Sequence, residues 1–123
     1  MNSDKKIKIA FRDEDEYLWV SISGPWNVSV LEEYIIEIRQ RLAKSGCKHV
    51  LIDAQELIHP RGASFDRYKV GEIIAREWGP YIKSAVITKS ENISRYAEII
   101  AVKRGAHFRV FSNMEAAKNW LLS

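Results

Sequence analysis

Arg61, Gly62, Ala63 and Ser64 stand together in the stretch His59-Pro60-Arg61-Gly62-Ala63-Ser64-Phe65-Asp66-Arg67-Tyr68-Lys69. A guanidinium, a flexible Gly-Ala pair and a hydroxyl where a helix should begin could hold an anion, because free N–H groups at a helix N-terminus attract negative charge. A phosphate, a carboxylate or a phosphorylated Ser64 would be stabilised there by the helix dipole and Arg61. Arg67 and Lys69 lie near, opposed only by Asp66. The same residues need no function to be explained. Ser64 serves equally as a plain N-cap with Asp66 in the first turn, and the local sequence favours that simpler reading. The stretch is neither a Walker loop nor a dinucleotide fingerprint.

Other reactive residues are scattered. His49, His59 and His107 fall near three different strand ends, and Cys47 has only His49 beside it. A zinc site needs more ligands at closer spacing, and a cysteine nucleophile needs a base and a polarising environment. Asp53 follows the apolar run Val50-Leu51-Ile52 and is expected to end that strand. Ligands of open α/β sheets bind beyond the carboxyl ends of strands. A carboxylate there also accepts backbone N–H bonds and orders the following loop, which is the reading preferred for Asp53. The acidic run Asp13-Glu14-Asp15-Glu16 lacks the spacing of a calcium loop and reads as a solvated hairpin connection. No nucleophile, base and orienting group can be assembled, no metal site or cofactor motif is present, and an enzyme is not expected.

These residues must be carried by regular elements. Ile7, Ile9 and Phe11, then Leu18, Val20 and Ile22, alternate with other residues at the period of a strand with one buried face. Gly24-Pro25 is expected to break the second strand. Ser29 and Glu32 then form a capping box, followed by Leu31, Tyr34, Ile35, Ile38 and Leu42 at helical spacing, with Gly46 as the stop. Val50-Leu51-Ile52 is continuously apolar, as in a strand covered on both faces. A second helix is expected from about Phe65 to Trp78, and a short buried strand at Ala85-Val86-Ile87. A third helix starts at Ser90 or Asn92, and Phe108 and Val110 mark a fifth strand. Ser112 and Glu115 form a second capping box for a last helix that carries Met114, Ala117 and Leu121 inward. The order β-β-α-β-α-β-α-β-α predicts an α/β fold, a mostly parallel mixed five-stranded sheet with helices packed on it. The first strand should run antiparallel to its neighbour.

The second helix has an unusually wide apolar arc. Phe65, Tyr68, Val70, Ile74 and Trp78 belong to it, while Lys69, Glu72 and Arg76 hold a narrow polar stripe. A surface helix needs an apolar face only about 100° wide. The arc is explained by deeper burial under neighbouring helices, or by a partner, dimer or ligand face. On the second explanation, a charged residue at Ile74 or Trp78 would abolish association and leave the fold intact. Trp19 and Trp26 are candidates for a rim or cleft, Trp120 for the core.

The totals bound the partners. The chain has 123 residues, 46% hydrophobic and 28% charged, with a net charge of +3. Length favours one domain over residues 1–123. Acids and bases are interleaved, which argues against a nucleic-acid surface. A single cysteine suits a reducing compartment. The N-terminus has no apolar signal core, and no segment approaches the ~18 apolar residues of a membrane span. A cytoplasmic protein is expected.

The element order, with Val50-Leu51-Ile52-Asp53-Ala54-Gln55-Glu56-Leu57, Ala85-Val86-Ile87-Thr88-Lys89-Ser90-Glu91-Asn92 and the closing Phe108–Leu121 segment, resembles the STAS superfamily. Within it, the chain is similar to the small SpoIIAA-like bacterial proteins. The resemblance covers nearly the whole chain and is carried most by Phe111, Ser112, Glu115-Ala116-Ala117 and Trp120-Leu121. It implies a non-enzymatic regulatory module, since the superfamily includes anti-sigma-factor antagonists that bind a partner kinase. These are switched by phosphorylation at the start of the helix after the central strand, and Ser64 is the residue closest to that position. Here the loop reads Pro60-Arg61-Gly62-Ala63-Ser64-Phe65 in place of paired hydroxyls followed by glycine. The resemblance therefore implies a protein partner, or self-association as a dimer, through the second helix and the loop before it. Its similarity to lipid-carrying domains of the Sec14 type implies an alternative, a carrier or sensor of a small apolar or amphipathic ligand with Arg61 meeting an anionic head. That alternative requires a cavity.

Overall fold

A computed structural model describes residues 6–58, 64–92 and 96–123, and side chains throughout these except at 64–66, 92 and 96. The elements are β1 (Lys8–Asp13), β2 (Leu18–Pro25), α1 (Val28–Ser45), β3 (His49–Ile58), α2 (Ser64–Trp78), β4 (Lys83–Ile87), α3 (Tyr96–Lys103), β5 (His107–Phe111) and α4 (Met114–Leu121). The five strands lie in the order β1-β2-β3-β4-β5. β1 is antiparallel to β2, and every later pair is parallel. This is the expected mixed sheet.

The topology distributes the helices. Parallel crossovers are right-handed, and here each one steps the same way across the sheet. They therefore leave α1, α2 and α3 on one face, where α2 packs between α1 and α3. α4 follows the last strand and covers β3, β4 and β5 from the other face. Two cores result. The larger joins Val20, Ile22, Val50 and Ile52 of the sheet to α1–α3, and the smaller joins Leu51, Ala85 and Ile87 to Ala117 and Leu121 of α4. The continuous run Val50-Leu51-Ile52 is thus buried on both sides, as its pattern required.

Several local expectations change. β3 does not end at Asp53 but continues to Ile58. Its pairing with β2 passes from Ser21↔Asp53 to Ser23↔Glu56, which leaves one extra residue on β3, a β-bulge. Asp53 does order backbone, but within that bulge: its Oδ1 accepts from the Gln55 N–H at 3.1 Å and from Gln55 Nε2 at 3.0 Å. Gly24 and Pro25 remain within β2, paired with Leu57 and Ile58. Gly24 has φ +105°, and a Cβ there would lie 2.7 Å from the Lys6 carbonyl oxygen, so only glycine fits.

Neither capping box forms. α1 starts earlier, with Asn27 in extended conformation and its Oδ1 accepting from the Val30 N–H at 3.1 Å. Asn113, not Ser112, caps α4 and accepts from the Ala116 N–H at 2.9 Å. Asparagine is at least as good a cap as serine, so both helices begin where the amide can serve. Ser90–Asn92, where the third helix was expected to start, forms a 3-10 turn, and α3 is described over Tyr96–Lys103, with residues 93–95 outside the described residues.

The wide apolar arc of α2 is explained by burial. Ile74 is 4% exposed and Trp78 2%, and the Trp78 indole N–H donates to the Ile35 carbonyl of α1 at 3.0 Å. Val70 and Ile73 are buried as well. A charge at Ile74 or Trp78 would be forced into an apolar interior and would break the fold before it reported on association. The other flank of α2 meets α3 at Gly71, where a Cβ would lie 2.7 Å from the Ala97 carbonyl oxygen.

Candidate functional site

The parallel strands β2 to β5 point to one carboxyl end, where β2 and β3 run on to Pro25 and Ile58, past the ends of β4 and β5 at Ile87 and Phe111. The first turns of α2 and α3 begin at that same carboxyl end, because each helix must return antiparallel to the strand before it. Behind it, between the sheet and α1–α3, lies a cavity of about 120 Å³. Its deeper wall is apolar, built from Ile38 of α1, Ile52 of β3, Val70, Ile74 and Trp78 of α2, and Phe108 of β5. Its polar lining belongs to the carboxyl end: Trp26 just after β2, Arg67 in the first turn of α2, Thr88 just after β4, and Glu98 in the first turn of α3. Tyr34, from the second turn of α1, also lines it.

Most of these polar groups have structural employment. The Tyr34 hydroxyl donates to the Ile7 carbonyl at 3.1 Å, tying α1 to the start of β1. Glu98 Oε1 accepts from the Val110 N–H at 2.7 Å, tying α3 to β5. Thr88 differs. Its backbone N–H donates to the Phe111 carbonyl at 2.9 Å, but its Oγ1 has no hydrogen-bond partner among the described residues although the residue is only 5% exposed.

The outer surface of α2 is charged. Arg76 pairs with Glu32 of α1 at 2.7 Å and with Glu77 at 3.0 Å, and Arg39 of α1 reaches Glu77 at 3.0 Å. Hydrogen bonds from the Arg76 guanidinium to Glu32, then to Glu77, hold its pKa above the ordinary arginine value. On the other flank Arg104 pairs with Glu72 at 3.0 Å and donates to the Tyr68 hydroxyl at 3.2 Å. These pairs hold α1, α2 and α3 side by side over the apolar cavity.

The residues singled out from sequence separate accordingly. Val70, Ile74 and Trp78 come together as cavity wall, and Trp26 lines the cleft it was expected to line. Tyr68 is half-buried beside Arg104. Asp53 does not line the cavity. Alternation along β3 puts it with Leu51 on the α4 side. Ser64 is the first residue of α2, and its side chain and that of Phe65 lie outside the described residues, as do Arg61, Gly62 and Ala63. Thr88 and Glu98 were missed. The only signal for Thr88 was a polar residue directly after Ala85-Val86-Ile87, at the end of a buried strand.

Among the described residues, no group of three or more His, Cys, Asp or Glu could hold a metal ion, and no helix is long and apolar enough to cross a membrane. A scan against known protein families finds no match, and a search of curated proteins finds none. Solved structures do match. An anti-sigma factor antagonist from Mycobacterium paratuberculosis aligns over 100% of both chains with a TM-score of 0.66 and 13% identity. An uncharacterised protein with a SpoIIAA-like fold from Shewanella loihica PV-4 aligns over 98% of both chains with a TM-score of 0.58 and 22% identity. The chain therefore shares the SpoIIAA-like fold over almost its whole length.

Proposed function

We propose that the chain is a non-enzymatic regulatory module that binds a protein partner at the carboxyl end of its sheet. The observation that carries this reading is the end-to-end likeness to an anti-sigma factor antagonist. The position of the interface rests on exposure. Val70, Ile73, Ile74 and Trp78 of α2 are turned inward, whereas Ile58, the last residue of β3, is 65% exposed. Ile58 and the first turn of α2 both lie at that carboxyl end, which is where we place the partner. Ser64 opens α2, so a phosphate on it would add negative charge at a helix N-terminus.

Quantitative capture from cells expressing the tagged chain tests the reading. Ile58→Glu should lose a partner that wild type retains, and Tyr81→Glu, an exposed control after α2 at the opposite end of the sheet, should keep it. Equal capture by all three would contradict the interface. Capture unchanged by Ser64→Asp would remove the phosphate switch and leave the interface standing.

A second reading, a sensor of a small apolar molecule, is favoured by one observation, the apolar cavity of about 120 Å³.

A further inference from the structure

The cavity constrains what it could take, and the inference below rests on that second reading. Its volume is about 120 Å³. A cavity of about 150 Å³ lined by Leu, Ile and Phe holds one benzene, so the space between sheet and helices is of the size that one ring fills. Aromatic side chains from four elements or their ends line it: Trp26, Tyr34, Trp78 and Phe108. Edge-to-face and offset contacts with such rings favour a flat aromatic guest over an aliphatic one of equal size.

The second constraint is Thr88. Native interiors rarely leave a buried hydroxyl without a partner, and Thr88 Oγ1 has none among the described residues. It lines the cavity at the carboxyl end, where the polar lining residues gather. A guest with one hydroxyl or N–H on its ring could place the ring against the apolar wall and exchange a hydrogen bond with Thr88.

We propose that this cavity is a binding site for a single-ring aromatic molecule carrying one hydrogen-bonding group, a phenol in the simplest case, anchored by Thr88. The guest sits between the sheet and α2. Its binding bears on the first turns of α2 and α3, whose Arg67 and Glu98 share the lining. The site thus connects to the surface assigned to the protein partner.

Calorimetric titration of the full chain with phenol, toluene and octanoate tests this. Phenol should bind more tightly than toluene. Thr88→Val, which keeps the shape and removes the hydroxyl, should weaken phenol by about tenfold, the equivalent of one hydrogen bond of about 1.4 kcal/mol, and leave toluene unchanged. Equal phenol affinity in wild type and Thr88→Val would overturn the anchor. Octanoate binding without phenol or toluene binding would overturn the aromatic class while the sensor reading survived. No binding of any of the three would end both. Should Thr88→Val fail to fold, the wild-type order of phenol over toluene still decides, and its reversal counts against the proposal.

Discussion

Gly71 is the residue on which the helical layer turns. A Cβ at this position would lie 2.7 Å from the Ala97 carbonyl oxygen and 3.1 Å from the Ile100 Cβ, and a backbone atom cannot swing aside as a side-chain end can. Gly71→Ala should therefore lower unfolding stability by about 1–3 kcal/mol, the range for overpacking a tight contact, despite alanine's better helix propensity. Urea denaturation measures it. An increase in stability would mean that α2 and α3 can part at small cost, and that the cavity between them and the sheet is softer than described. Trp78 acts at the same scale from the other flank. Its indole N–H holds the Ile35 carbonyl, so α1 and α2 are joined by a hydrogen bond inside an otherwise apolar contact.

At the scale of elements, the helices are positioned by their starts. Asn27 and Asn113 each satisfy one N–H that the first turn leaves free. Asn27→Ala should cost about 1 kcal/mol, while Ser29→Ala, inside α1, should stay within about 0.5 kcal/mol. Thermal unfolding of the two variants checks this, and equal losses would return the cap to Ser29. The error in the sequence reading has a physical cause. Ser29-x-x-Glu32 and Ser112-x-x-Glu115 match the capping pattern, but an asparagine stands two residues before the first serine and one residue after the second, and each caps its helix instead. Strand β3 was misread for a different reason. Buried positions fall at Ile52, Ala54 and Leu57, and the bulge at Asp53–Gln55 shifts the period by one, so alternation seemed to stop at Asp53. Where no such shift intervenes, as in Leu18, Val20 and Ile22 of β2, pattern and burial agree.

At the scale of the whole molecule, element order fixed more than local detail did. Alternating strands and helices after a hairpin permit few topologies once crossovers are right-handed. That is why the mixed sheet and the covered central strand were legible from sequence. The candidate site was legible only in part. Val70, Ile74 and Trp78 stood out because their arc is too wide for a surface helix, yet the arc itself cannot tell a partner from a cavity. Thr88 and Glu98 reach the cavity from segments distant in sequence from α2, and only packing brings them to one end of the sheet. Exposed Ile58 was hidden within an apolar-rich strand. Its exposure follows from the length of β3, which runs past its last pair with β4, Asp53↔Ile87, to Ile58.

The account holds that the carboxyl end of the sheet is the working face. Hydrogen exchange on the chain, free and within its captured complex, tests that most directly, because it reports backbone protection segment by segment. The account predicts added protection over residues 54–58 and the first turn of α2, with residues 79–83 unchanged. Protection gained only at residues 79–83, or along the outer charged surface of α2 without the strand ends, would contradict it.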